Sequence, residues 1–188
     1  MLSSKTENIK LQNIEKKLLI SPLSQKQMEI VAWLEFYSKY FFTIHDISPF
    51  FSNKKQRYNI IQRLLKKRRI TRLNKTKYYL VPVKAKSGGW SEHPFTLADE
   101  IMNGSDYFIG GWAAANYWRL TDQIPFWIEV YTTKRQGKRK ILNTGFIFRR
   151  TTHQKIKKAN LRKINKHTFR IMSKEEMKKW MKLRESLI

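Results

Sequence analysis

Ser52-Asn-Lys-Lys-Gln-Arg-Tyr-Asn-Ile-Ile-Gln-Arg-Leu-Leu-Lys-Lys-Arg68 is followed by Arg69, the apolar-rich runs Ile70–Leu73 and Lys77–Val81, and between them Asn74-Lys75-Thr76. Reading this stretch decides the fold of the first half of the chain. Ser52-Asn53 offers an N-cap, because a short side-chain oxygen there can accept from a backbone N–H that has no helical partner. A helix is therefore predicted from there to about Arg68, with Ile61, Leu64 and Leu65 facing a core. The two β-prone runs flank turn-favouring and basic residues and predict a hairpin. Upstream, Thr43 and Asp46 resemble the capped start of a short helix, His45–Phe50. Short helix, tight turn and longer helix followed by a hairpin is the pattern of a winged helix-turn-helix.

Working outward, Ser24 opens a second predicted helix reaching about Lys39, with Ile30, Val31, Leu34 and Tyr37 on one face and Trp33 and Phe36 flanking it. A further amphipathic helix, Glu7–Ile20, carries Leu11, Ile14 and Leu18 and is stopped by Pro22. These elements make residues 1–85 a winged helix-turn-helix domain with an N-terminal helix. Residues 86–94, with Ser87-Gly88-Gly89 and no periodicity, read as a linker. Residues 95–188 read as a small α+β domain with a C-terminal helix. Its expected helices are Thr96–Met102, Gly111–Trp118 and Ser173–Leu187, the last behind a Ser173/Glu176 capping box; its expected strands are Tyr107–Ile109, Phe126–Thr133 and Lys140–Arg150. The fold class is α+β.

The chain of 188 residues has 39 Lys and Arg against 14 Asp and Glu, a formal charge of +25. Such an excess repels itself unless a polyanion or strong solvation offsets it, and nucleic acid is the partner it suits. The charge is clustered: 13 basic residues from Lys54 to Lys86, and 14 from Lys134 to Arg170, are uninterrupted by any acid. With no cysteine, disulfide frameworks, zinc fingers and iron-sulfur sites are excluded. No apolar run approaches the roughly 20 residues that cross a bilayer and Met1–Lys10 is polar, so no membrane association and a cytoplasmic location are expected.

Stepping 100° per residue from Ile61, Leu64 and Leu65 places Ser52, Lys55, Gln56, Asn59, Gln62, Arg63 and Lys66 on the opposite face. Amide side chains suit adenine edges and Arg suits guanine, so Ser52, Lys55, Gln56 and Asn59 are candidates to read bases. Lys54, Arg63, Lys66, Lys67, Arg72, Lys75 and Lys77 are candidates for phosphate or the minor groove. A second basic face, Lys134, Arg135, Lys138, Arg139, Lys140, Arg149 and Arg150, suits DNA, RNA or an acidic protein, and Gly137 is expected at a hairpin tip between basic residues.

One more stretch is distinctive: Asp106-Tyr-Phe-Ile-Gly-Gly-Trp-Ala-Ala-Ala-Asn-Tyr-Trp-Arg-Leu-Thr-Asp-Gln-Ile-Pro125. Gly110, Gly111 and Ala113–Ala115 are small enough for a strand end and a helix start to pack closely. This stretch resembles the signature of the AbiEi family, a Tyr-x-Ile-Gly-x-x-(Ala/Ser)-Ala helix followed by Gly-Leu-Thr-Asp-Gln-Ile-Pro. Leu120 to Pro125 match, and Arg119 stands where a glycine is common. The likeness extends over about residues 24 to 150, taking in Tyr78–Pro82 and Phe146–Arg150; many members continue into a longer helical region after the equivalent of residue 172. It implies an antitoxin of an abortive-infection toxin-antitoxin system. Such a protein is a transcriptional regulator that represses its own operon by binding promoter repeats in double-stranded DNA, and it counters a cognate nucleotidyltransferase-like toxin. Monomer or weak dimer is expected in solution, with more than one copy on paired operator sites. Thr121-Asp122-Gln123 also fits a capped turn joining helix to strand.

Enzymatic signatures are missing. His45, His93, His153 and His167 are far apart and none forms a metal-binding HxxxH or HExxH, so each is expected to be an ordinary residue, with no metal and no cofactor. Gly104-Ser105-Asp106 lacks the paired downstream carboxylates that nucleotidyl transfer requires, since Glu129 is the one acid between Asp122 and Glu175. The alternatives to a sequence-specific repressor are a non-specific DNA- or RNA-binding protein and a winged-helix protein-interaction adaptor.

Overall fold

A computed structural model describes residues 22–82, 92–164 and 167–185. The expected helix Glu7–Ile20 and most of the expected linker lie outside the described residues. The chain divides into two compact units, Met1–Gly89 and Trp90–Ile188. The fold is α+β, with six α-helices and two sheets among the described residues. No described helix is long and apolar enough to cross a membrane.

The first unit runs α1 (Gln25–Phe36), β1 (Phe41–Thr43), a 3-10 turn (Ser48–Phe50), α2 (Lys54–Lys66), β2 (Ile70–Arg72) and β3 (Lys77–Leu80). A capping box starts α1: Gln27 N–H donates to Ser24 Oγ and Ser24 N–H donates to Gln27 Oε1 at 3.0 Å. Ile30, Val31 and Leu34 of α1, Phe42 of β1, Ile47, Ile60, Ile61 and Leu64 of α2, and Ile70, Tyr78 and Leu80 of the sheet form one core. The strands are ordered β1-β3-β2 and all pairs are antiparallel.

Three expectations in this unit need correction. The α1 helix stops at Phe36 because the chain turns left-handed at Ser38 (φ 52°), and Tyr37 is exposed instead of facing the core. The expected helix His45–Phe50 is a run of turns ending in the 3-10 turn. Asp46 organises it by accepting from both the N–H and the hydroxyl of Thr43 at 2.8 Å. Burial opposes the Asp46 charge, but these bonds and Lys39 outweigh it and hold the carboxyl below its usual range. The strand β1 was missed because three residues carry almost no periodic signal.

The second unit runs α3 (Pro94–Met102), β4 (Tyr107–Gly110), α4 (Gly111–Tyr117), β5 (Trp127–Thr132), β6 (Gly137–Ile141), β7 (Thr144–Arg150), α5 (His153–Lys157), β8 (Asn160–Ile164), β9 (His167–Ile171) and α6 (Lys174–Glu185). Its six strands are ordered β6-β7-β5-β4-β9-β8. The pairs β4–β9 and β5–β7 are parallel and the rest antiparallel. Every residue of β4 is buried, as suits a strand inside the sheet. The small residues at its end are required: a Cβ on Gly110 would lie 2.6 Å from the Tyr131 ring, and one on Gly111 would lie 2.6 Å from the Glu129 carboxyl. Gly111 is also left-handed at φ 59°.

Two expectations fail here as well. Lys140–Arg150 is not one strand but parts of β6 and β7, joined by a tight turn with Leu142 at φ 53°; Gly137 therefore starts β6 and is not at the tip. Residues 153–171, to which the sequence assigned no element, contribute α5 and the β8–β9 hairpin. The α3 helix begins at Pro94, inside the expected linker, and His93 caps it by accepting from Phe95 N–H through Nδ1 at 3.2 Å. Burial lowers the His93 pKa and so keeps that nitrogen free to accept.

Candidate nucleic-acid interface

The α2 helix is set by its cap and its buried face. Asn53 Oδ1 accepts from Gln56 N–H at 2.9 Å, so of the two expected caps Asn53 is the one used. Ile60, Ile61 and Leu64 are buried, whereas Leu65 is only partly so. Leu65 still packs against the core, as expected, and the addition of Ile60 turns the outward face by roughly 25° from the one read from sequence. That face now centres on Lys55, Asn59, Gln62 and Lys66. Ser52, Gln56 and Arg63 lie toward one margin; Tyr58, which is 56% exposed and was not anticipated, lies toward the other with Lys54. All of these side chains except the partly buried residues of the core seam are exposed.

The remaining members of the set differ in availability. Lys67 turns inward, and its ammonium donates to Pro22 O and to Gln27 Oε1, the latter at 2.8 Å, satisfying a buried amide. Arg72 braces the hairpin by donating to Asn74 O (3.0 Å) and Lys75 O (3.2 Å). Asn74 Oδ1 accepts from the N–H groups of Thr76 and Lys77, both at 2.9 Å, which makes Asn74 the organiser of the turn. Lys75 projects into solvent at the tip, with Lys77 half-buried behind it. No carboxylate lies against Lys54, Lys55, Arg63 or Lys66 among the described residues.

The second basic face is built differently. Arg149 donates through Nε to Glu129 Oε2 at 2.5 Å, and Tyr131 donates its hydroxyl to the same oxygen at 3.0 Å. Glu129 is buried; burial first, and then the Glu129 charge, push Tyr131 up to about 12, so its hydroxyl stays a donor. Lys134 pairs with Asp106 at 2.9 Å and reaches Ser105 Oγ at 3.3 Å, and its hydrogen bond holds the Asp106 carboxyl below the usual range. Arg150 donates to Thr133 O. Arg135 stacks on Phe148 with its guanidinium 4.0 Å from the ring centre, and Lys138 lies 5.8 Å from the centre of Trp127. A shallow groove of about 450 Å³ runs past Tyr131, Gly137, Lys138, Phe148, Arg149 and Arg150. Lys140 points outward, and Arg139 is half-buried.

Thr121 makes the turn anticipated for Thr121-Asp122-Gln123: its Oγ1 accepts from Gln123 N–H at 3.2 Å, and its carbonyl accepts from Asn116 at 3.3 Å. Beyond it Ile124 and Phe126 are 86% and 95% exposed, a feature that composition cannot signal. Arg119 sits at φ 54° in the C-terminal turn of α4, where Leu120 N–H returns to Ala115 O at 2.9 Å. That left-handed geometry is the one glycine adopts without strain.

His167 is not an ordinary surface residue. Its Nε2 lies 2.9 Å from Asp99 Oδ2 and 3.8 Å from Glu100 Oε1, a grouping invisible to motif spacing because β9 and α3 are brought together only by the sheet. No family model matches the chain, and no curated protein matches its sequence.

Proposed function

We propose that the protein is a cytoplasmic, non-enzymatic DNA-binding transcriptional repressor of winged helix-turn-helix type, acting as the antitoxin of an AbiEi-like toxin-antitoxin pair. The observation that carries the DNA reading is the outward face of α2. It presents Lys55, Asn59, Gln62 and Lys66 together, has no acid against it among the described residues, and rests on a helix anchored by three buried aliphatic side chains. Amides at its centre suit base edges, and the flanking cations suit phosphate. Lys75 at the hairpin tip suits backbone phosphate or a minor groove. The AbiEi part of the proposal rests on the residue 107–125 likeness. The toxin contact is assigned to the loop bearing Ile124 and Phe126, since large apolar side chains this exposed are typical anchors of a protein partner.

The test is a titration at near-physiological salt against the duplex upstream of the protein's own gene, with scrambled duplex as competitor. A selective complex is expected, with an Asn59→Ala/Gln62→Ala variant losing selectivity on the order of 100-fold while folding normally. Equal binding to both duplexes, untouched by the substitutions, would leave a non-specific nucleic-acid binder. Absence of any DNA complex, with a protein partner captured through the apolar loop, would leave an adaptor.

A further inference from the structure

We propose that Asp99, Glu100 and His167 form a binding site for a divalent first-row transition ion, zinc in the first instance, which pins the end of α3 to the start of β9. One ligand atom from each of the three side chains lies within 4.8 Å of the others, and His167 Nε2 is 2.9 Å from Asp99 Oδ2 and 3.8 Å from Glu100 Oε1. Donor atoms that share an ion at about 2.1 Å stand about 3.0 to 3.4 Å apart at right or tetrahedral angles. The two distances from the imidazole nitrogen, 2.9 and 3.8 Å, lie on either side of that range, so side-chain rotation of a few tenths of an ångström brings both carboxylates to coordination distance.

The surroundings favour an ion. The three side chains are 16%, 12% and 27% exposed, so two adjacent carboxylates are largely withdrawn from water beside one imidazole. A dication held by all three donors would offset the closeness of two carboxylates directly. Asp99 is also held in place: the Tyr107 hydroxyl donates to Oδ1 at 2.6 Å and itself accepts from Arg170 N–H at 3.3 Å, which leaves Oδ2 turned to the shared point. Outer hydrogen bonds of this kind orient ligating carboxylates in metal sites. One imidazole with two carboxylates suits zinc and its neighbours better than magnesium or calcium, which prefer oxygen donors throughout. On binding, Nε2 gives its lone pair to the ion, the ring carries its proton on Nδ1, and water completes the shell.

The experiment titrates zinc chloride into the full chain, free of any affinity tag, by calorimetry, with thermal melting alongside. Wild type is expected to take up one zinc with saturation and to melt several degrees higher, as ligand linkage requires. Magnesium at equal concentration should leave the melt unchanged. His167→Gln retains a donor toward Asp99 and should fold, yet weaken zinc binding about 100-fold; Glu100→Gln, which leaves the Asp99–Tyr107 contact in place, should weaken it about tenfold. Lack of saturable zinc binding by wild type, or undiminished binding by both variants, would overturn the proposal. The site lies in the second unit, so failure of the DNA titration has no bearing on it.

Discussion

The outward face of α2 and the β6-β7-β5 side of the second sheet are both rich in positive charge and differ in how their cations are employed. On α2, Lys54, Lys55, Arg63 and Lys66 stand in solvent around exposed amides. On that side of the sheet, Arg149 serves Glu129, Lys134 serves Asp106, Arg150 serves the Thr133 carbonyl, and Arg135 lies on Phe148. A run of basic residues thus has two physical meanings. Where the neighbours are apolar core on one side and water on the other, the charges are free to meet a polyanion; where the chain folds them over carboxylates and rings, they hold the fold.

The contrast can be broken by experiment. The largest effect is expected from Gly111→Ala, which adds a Cβ against Glu129 at a left-handed position. Strain and overpacking together should cost about 3 kcal/mol in urea denaturation of the second unit. A loss below about 1 kcal/mol would show that the seam around Glu129 is looser than that side of the sheet requires. Arg149→Ala comes next: it leaves the buried Glu129 with Tyr131 as partner and should cost about 1 to 2 kcal/mol, a figure reduced for the half-exposed guanidinium. DNA affinity should be unchanged; a tenfold fall in affinity with stability intact would erase the distinction between the two surfaces. The smallest effect is expected from Arg119→Gly, which relieves a left-handed arginine and should raise stability by up to about 1 kcal/mol, read as a shift in the denaturation midpoint.

Much of the local structure was legible. The start of α1 behind Ser24, the cap at Asn53 and the hairpin around Asn74 all depend on residues within four positions of one another, and the residue types there allow few alternatives. The candidate site was legible in membership more than in orientation. Lys54, Lys55, Gln56, Asn59, Arg63 and Lys66 are exposed as expected, but the burial of Ile60 beside Leu65, which turns the face by about a quarter of a residue step, depends on what packs against α2. Lys67 and Arg149 illustrate the limit: nothing local distinguishes them from Lys66 and Arg150, and their partners lie 40 and 20 residues away.

By itself, then, the sequence determined the two concentrations of positive charge, the helix caps and the turn residues. These follow from composition and from steric and hydrogen-bonding preferences that act over a few residues. Only the tertiary structure decided that 140–150 bends into two strands and that β8 and β9 complete the sheet. It also decided which cations are consumed by the fold, and it brought His167 to Asp99 from 68 positions away. The physical reason is common to all of these: strands of three to seven residues carry little periodicity of their own, and pairing between distant segments is settled by how the whole core packs.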